Sequence, residues 1–204
     1  MGYKLQKQYR LPKYDYSSLG QYFITICTGD RKYFFGDIIN YKMRPSEIGK
    51  IVEKFYFEIP RHFENVKLDK WVVMPNHVHG IITIMCQLLS DVPNGDDIFA
   101  LSQNTIPENI TQNDAMHRSY RNKSEYFSNL SPKSKSISRI IGSFKSVVTK
   151  NANLKFPEIN FTWQSKFYDH IIRNDKELED IRHYIHYNPL NWRKDRNNLE
   201  GLLM

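Results

Sequence analysis

His77 and His79 stand one residue apart in the run His77-Val78-His79-Gly80-Ile81-Ile82-Thr83-Ile84. Side chains alternate along a strand, so both imidazoles project from one face. There they can share one metal ion, provided both rings are neutral. The same spacing equally suits two polar residues on a half-solvated sheet, and the pair alone does not separate the two readings. Further along, Tyr184 and Asn188 are four residues apart, neighbours on one flank of a helix. A phenol attacks poorly unless it is activated or its target is made more electrophilic, and a metal on a scissile phosphate does the second. The plainer alternative is a tyrosine at the rim of a core and an asparagine that ends a helix before Pro189.

The elements that must position these groups follow from pattern. Tyr22 to Thr28 is β-branched and aromatic, stops at Gly29-Asp30, and reads as a strand. Pro45 in a first helical turn, followed by Ile48, Ile51, Val52, Phe55 and Ile59, predicts an amphipathic helix closed by Pro60. Leu68 to Met74 and His77 to Ile84 are two further strands. Between them Pro75 cannot take a positive φ, so the connection is read as slightly longer than two residues. In the histidine strand Val78, Gly80, Ile82 and Ile84 face the helices, which leaves His77, His79, Ile81 and Thr83 on the other face. A helix spans about Ser136 to Asn151, with Ile137, Ile140, Ile141, Phe144, Val147 and Val148 on one side, and Phe167 to Arg173 is a fourth strand. Asn174 with Glu177 forms a capping box, opening a last helix that ends near Asn188 because of Pro189. Its apolar stripe is Leu178, Ile181 and Ile185, with Tyr184 and Asn188 at the stripe's edge and His183 and Tyr187 pointing away.

Strand, helix, strand, strand, helix, strand is the order of a split βαβ unit. The fold class is therefore α+β: a ferredoxin-like (RRM-like) four-stranded antiparallel sheet with two helices on one face, plus an extra C-terminal helix carrying Tyr184. Residues 1–204 read as a single domain, with a basic N-terminal segment (about 1–18) and a polar insertion (about 87–132) rich in Asn, Ser and Asp, expected to be mobile.

The 204 residues carry 29 basic and 22 acidic side chains, a net charge of +7, and are 40% hydrophobic. That is too apolar for a disordered chain, and no apolar run is long enough for a membrane span. Residues 1–18 lack the apolar centre of a signal peptide. Cys27 and Cys86, both in apolar surroundings, suit core positions in a reducing, cytoplasmic compartment. The basic charge is clustered: Lys4, Lys7, Arg10 and Lys13 alternate with tyrosines, Arg139, Lys145, Lys150 and Lys155 form an acid-free block, and Arg193, Lys194 and Arg196 form a third. Cations beside aromatic rings suit nucleic acid, the cation meeting phosphate and the ring stacking on an unpaired base.

Met74-Pro75-Asn76-His77-Val78-His79-Gly80 resembles the HUH motif (His, hydrophobic, His) of single-tyrosine transposases. Trp163-Gln164, Tyr168-Asp169-His170-Ile171-Ile172-Arg173 and Tyr184-Ile185-His186-Tyr187-Asn188-Pro189 are similar to the closing motifs of one branch, the REP-associated tyrosine transposases of the IS200-like family. The stretches Ser138 to Lys145 and Tyr22 to Thr28 also match, so the resemblance spans about Tyr14 to Trp192 apart from the insertion. It implies a metal-dependent enzyme that cleaves and rejoins single-stranded DNA near hairpins through a 5′-phosphotyrosine, without ATP. By position, Tyr184 matches the nucleophile, and His77, His79 and Asn188 match the ligands of a divalent metal, Mg²⁺ or Mn²⁺. The implied partner is a palindromic DNA hairpin, contacted by the basic N-terminal segment and adjacent surfaces. Lys4, Lys7, Arg10, Arg139, Lys145 and Arg173 are the candidate DNA contacts, with no membrane and either a monomer or a homodimer. Two other classes stay open: a domesticated single-strand nucleic-acid-binding regulator without catalysis, and a metal-dependent nuclease that uses water.

Overall fold

A computed structural model of the chain describes residues 14–85 and 136–198. The N-terminal cations Lys4, Lys7 and Arg10, Cys86 and the 87–132 insertion lie outside these residues. The sheet runs β1 (Gly20–Cys27), β4 (Val66–Met74), β5 (His77–Ile84) and β6 (Tyr168–Ile172) in the spatial order β4-β5-β1-β6, with every pairing antiparallel. Helices α1 (Glu47–His62) and α2 (Ile137–Lys155) cover one face. Here Val52, Tyr56, Ile140, Ile141 and Phe144 pack on Tyr22, Ile24, Ile26, Val78 and Ile82. The ferredoxin-like arrangement is thus present, and the histidine strand turns the side chains expected toward the helices to this core.

The other face is covered by α3 (Asp175–Tyr187), whose Leu178, Ile181 and Ile185 pack on Phe23, Ile81 and Ile172. Asn174 caps α3, its side chain accepting from the Glu177 amide at 2.9 Å. A register shift between Leu68 and Trp71 in β4 brings Asp69 to α3, where Arg182 grips its carboxylate through Nε (3.2 Å) and a terminal nitrogen. An amphipathic helix of this length is marginal alone. The apolar stripe and this two-point ion pair set its angle to the sheet.

Several local expectations need correction. Pro45 ends a strand, and Ser46 is the cap of α1, accepting from Gly49 N at 3.1 Å. Pro60 lies inside the final turn of α1, which continues to His62, because a proline there forfeits only one bond, to the Tyr56 carbonyl. The β4–β5 connection is only Pro75 and Asn76, since Met74 pairs with His77 and neither loop residue has a positive φ. Helix α2 runs four residues past Asn151. A second, two-stranded sheet was not foreseen: β2 (Gly36–Ile39) and β3 (Lys42–Pro45) form a hairpin through Asn40 and Tyr41, both with positive φ (50° and 60°). Such turns match the twist of a hairpin. Gly36, at φ 125°, abuts Arg44, whose carbonyl oxygen is 2.0 Å from where a Cβ would stand.

Candidate active site

Tyr184, His77 and His79 meet on the α3 face of the sheet. β1 and β5 pair Cys27 with His77 and Thr25 with His79, so the imidazoles flank the central strand on the side facing α3. Both rings are fully buried, and their Nε2 atoms are 3.0 Å apart. Burial is the main reason neither holds a proton readily. It pushes His77 down to about 3, helped by the positive charges of Arg196 and Arg31, and holds His79 well below its ordinary value. Two neutral imidazoles with converging ring nitrogens are the donor form that a metal requires.

Each outer ring nitrogen is engaged. His77 Nδ1 lies 2.8 Å from Asn76 Oδ1, and His79 Nδ1 lies 2.8 Å from Thr25 Oγ1. Tyr184 comes in from the last turn of α3. The residue as a whole is 41% exposed, yet its hydroxyl is 3.1 Å from His79 Nε2, and the ring packs edge-on against Phe23 and His79. Desolvation, with the Asp195 charge adding to it, pushes that hydroxyl up to about 12.

Asn188 caps the end of α3 and is buried. Its Nδ2 donates to Asp195 Oδ2 at 3.1 Å, which leaves Oδ1 as a buried acceptor with no hydrogen-bond partner among the described residues. Asp195 is the carboxylate that sequence reading missed. One of its oxygens and one ring nitrogen each of His77 and His79 lie within 4.8 Å of one another, the one such His/Cys/Asp/Glu group among the described residues. A lone acid inside Arg193-Lys194-Asp195-Arg196 was the only available hint. The segment carrying it, Trp192 to Asn198, has little regular structure. It is tied down by Arg31 Nη1 to the Arg196 carbonyl (3.0 Å), the Tyr33 hydroxyl to Asn198 Oδ1 (2.8 Å) and Asn76 Nδ2 to the Asn197 carbonyl (2.7 Å).

Two converging imidazole nitrogens, an unsatisfied buried amide oxygen and a carboxylate make a mixed N/O donor set. That set suits a divalent cation of the Mg²⁺ or Mn²⁺ kind, with imidazole favouring the latter.

The candidate DNA contacts divide. Arg139 and Arg173 are exposed, whereas Lys145 is half-buried and donates to the carbonyls of Gln164 (2.6 Å) and Ser165 (3.1 Å), tying α2 to the segment before β6. His170 bonds Glu177 at 2.6 Å, joining β6 to the first turn of α3. Arg196, which lies over the Tyr168 ring, brings positive charge to the histidine pair from the solvent side. Among the described residues no helix is long and apolar enough to cross a membrane.

No family model matches the chain. It is 34% identical over 193 residues to an uncharacterized protein of Haemophilus influenzae Rd, covering 94% of this chain and 92% of that one. It is 27% identical over 177 residues (86% of this chain, 73% of the relative) to another protein of that organism, named by inference a REP-associated tyrosine transposase. A solved structure of a REP-associated tyrosine transposase bound to a REP hairpin superposes with a TM-score of 0.51 at 20% identity, covering 92% of this chain and 74% of that one.

Proposed function

We propose that the chain, which is similar to REP-associated tyrosine transposases in sequence and fold, cleaves and rejoins single-stranded DNA beside a hairpin, with Tyr184 as the nucleophile. The observation that supports this best is the placement of the Tyr184 hydroxyl 3.1 Å from His79 Nε2, near Asn188, whose Oδ1 is buried without a partner among the described residues. His77 and His79 through Nε2, Asn188 through Oδ1 and the Asp195 carboxylate are the groups that would hold a divalent cation. Such a cation, when bound, withdraws charge from a scissile phosphate and favours the phenolate over the raised phenol.

The protein's own groups supply the rest. Packing of α3 on Phe23 and Ile81 fixes the tyrosine in reach of the site, so attack needs little reorganisation. Tyr184 Oη attacks phosphorus and its proton passes to the Asp195 carboxylate beside it. The bond from phosphorus to the 3′ oxygen breaks. The products are a 5′-phosphotyrosine and, once protonated, a free 3′-hydroxyl. The reverse attack by a 3′-hydroxyl rejoins strands, with the bond energy conserved in the ester. Arg196 and Arg31 supply positive charge for the phosphate, and exposed Arg139 and Arg173 extend the basic surface for the hairpin. Lys4, Lys7 and Arg10 would add to that surface from the N-terminal segment.

The test is a denaturing gel of the protein with end-labelled single-stranded hairpins from palindromes flanking its gene, in Mn²⁺ or Mg²⁺, beside Tyr184→Phe. A slow-migrating, protease-sensitive adduct in the wild type alone supports the reading. Cleavage without adduct points to a water-using nuclease. Binding with neither adduct nor cleavage makes the protein a nucleic-acid-binding regulator.

A further inference from the structure

Asn76 sits in the two-residue turn before β5, fully buried. Its side-chain nitrogen donates to two carbonyl oxygens, Arg31 at 3.0 Å and Asn197 at 2.7 Å. Both amide hydrogens are thereby placed, and turning the amide over would set its oxygen against two other oxygens. The orientation is fixed, so Oδ1 is the atom that faces His77 Nδ1 at 2.8 Å. An amide oxygen only accepts. His77 must therefore carry its hydrogen on Nδ1 and keep a lone pair on Nε2, the nitrogen that faces His79.

The Thr25 hydroxyl at His79 Nδ1 can donate or accept, so this contact by itself fixes no tautomer for His79, whose ring also bonds the Ile24 backbone. With Nε2 of His77 a fixed acceptor, a His79 Nε2 hydrogen has a partner at 3.0 Å. The same hydrogen carried on Nδ1 has the Thr25 oxygen instead. The amide of Asn76 thus fixes the tautomer of His77.

We propose that Asn76 is a positioning residue of the metal site: it locks the His77 tautomer that presents Nε2 for coordination and, through the Asn197 carbonyl, holds the Asp195 segment in register with that nitrogen. This rests on the metal role proposed for His77, and it names an outer partner that makes no contact with metal or substrate. Amide and carboxylate partners of ligating histidines typically matter 10–100-fold in metal affinity.

The experiment uses the full chain, metal-free and ¹⁵N-labelled at histidine. Long-range ¹H–¹⁵N spectra read each ring's tautomer, and loss of a signal in His77→Gln assigns it. Wild type is expected to show His77 with hydrogen on Nδ1. Asn76→Ala is expected to lose that preference and to weaken Mn²⁺ binding, followed by electron paramagnetic resonance, by about 10–100-fold. Asn76→Asp keeps the acceptor and loses both donors, so it should keep the His77 tautomer while freeing the Asn197 carbonyl. It also provides the reading if the alanine variant does not fold. The proposal is overturned by hydrogen on Nε2 of His77 in the wild type, by loss of the tautomer in Asn76→Asp, or by a folded Asn76→Ala with unchanged tautomer and Mn²⁺ affinity within about twofold. Absence of Mn²⁺ binding in the wild type removes the metal reading instead, while the tautomer still decides whether Asn76 locks the ring.

Discussion

Gly80, the residue after His79, has almost no space above it. A Cβ built there lies 2.1 Å from the Tyr56 hydroxyl oxygen and 2.9 Å from Cζ of the same ring. Tyr56 has nowhere to withdraw: it is fully buried, stacked on Trp71 with centroids 4.6 Å apart and set edge-on to Phe144 at 5.9 Å. Adding a methyl to such packing costs about 1–3 kcal/mol, and a contact with ring carbon as well as the hydroxyl places Gly80→Ala near the top, about 3 kcal/mol. The hydroxyl is itself buried without a hydrogen-bond partner among the described residues. Tyr56→Phe therefore surrenders no bond and should be neutral or stabilising by up to about 1 kcal/mol, where a bonded tyrosine would lose about that much. In the double variant only the ring-carbon contacts at 2.9 and 3.4 Å survive, so the cost of the alanine should fall to about 1–2 kcal/mol, a coupling of at least about 1 kcal/mol. Urea unfolding of the four proteins, followed by circular dichroism, measures the cycle. A Gly80→Ala cost below about 1 kcal/mol, or additivity within about 0.5 kcal/mol, would refute the argument that the helix tyrosine fills the hole under the histidine strand.

Tyr184→Phe should abolish adduct formation while leaving hairpin affinity within about threefold, since one hydroxyl is removed from a ring held by Phe23; quantitative gel shifts check it. Asn188→Leu should weaken Mn²⁺ binding by about 10-fold or more and leave Asp195 without its amide donor, measurable by calorimetry. Arg182→Met should destabilise by about 1 kcal/mol at neutral pH, an amount discounted for partial exposure of the pair. Arg182 holds the Asp69 carboxyl below the usual carboxylate range, so the pair's contribution is present above about pH 4, the unfolded value, and disappears as pH falls through the lower folded value. Unfolding curves of wild type and variant should therefore converge in acid. Arg139→Ala should lower the slope of log affinity against log salt by about 1, while Lys145→Met should leave that slope unchanged and cost stability, because its ammonium is bonded to Gln164 and Ser165.

Wherever a period carries the information, the sequence anticipates the structure. The alternation around His77 and His79 puts both histidines on one sheet face, and the stripe of α3 with its Asn174 cap puts Tyr184 and Asn188 together at its rim. Where position depends on single bonds between distant segments, it does not. Asp195 arrives on an irregular stretch whose path is set by Arg31, Tyr33 and Asn76, and no spacing encodes that. The β2–β3 hairpin has strands of only four residues and a turn without glycine, so it stays below the threshold of pattern. The bonds from Lys145 to two backbone carbonyls likewise have no sequence signature.

The histidine strand begins at the chemistry and ends well away from it. His77 to Ile84 is seven steps, about 23 Å at the rise of a strand. The chain leaves the sheet at Ile84, just before the long polar stretch, and the described structure resumes at Ser136, the cap of α2. Length added or exchanged at that exit is thus spliced in at the strand end remote from the paired imidazoles. The strand therefore separates the two ends of its own length, paired imidazoles at one and the exit from the sheet at the other.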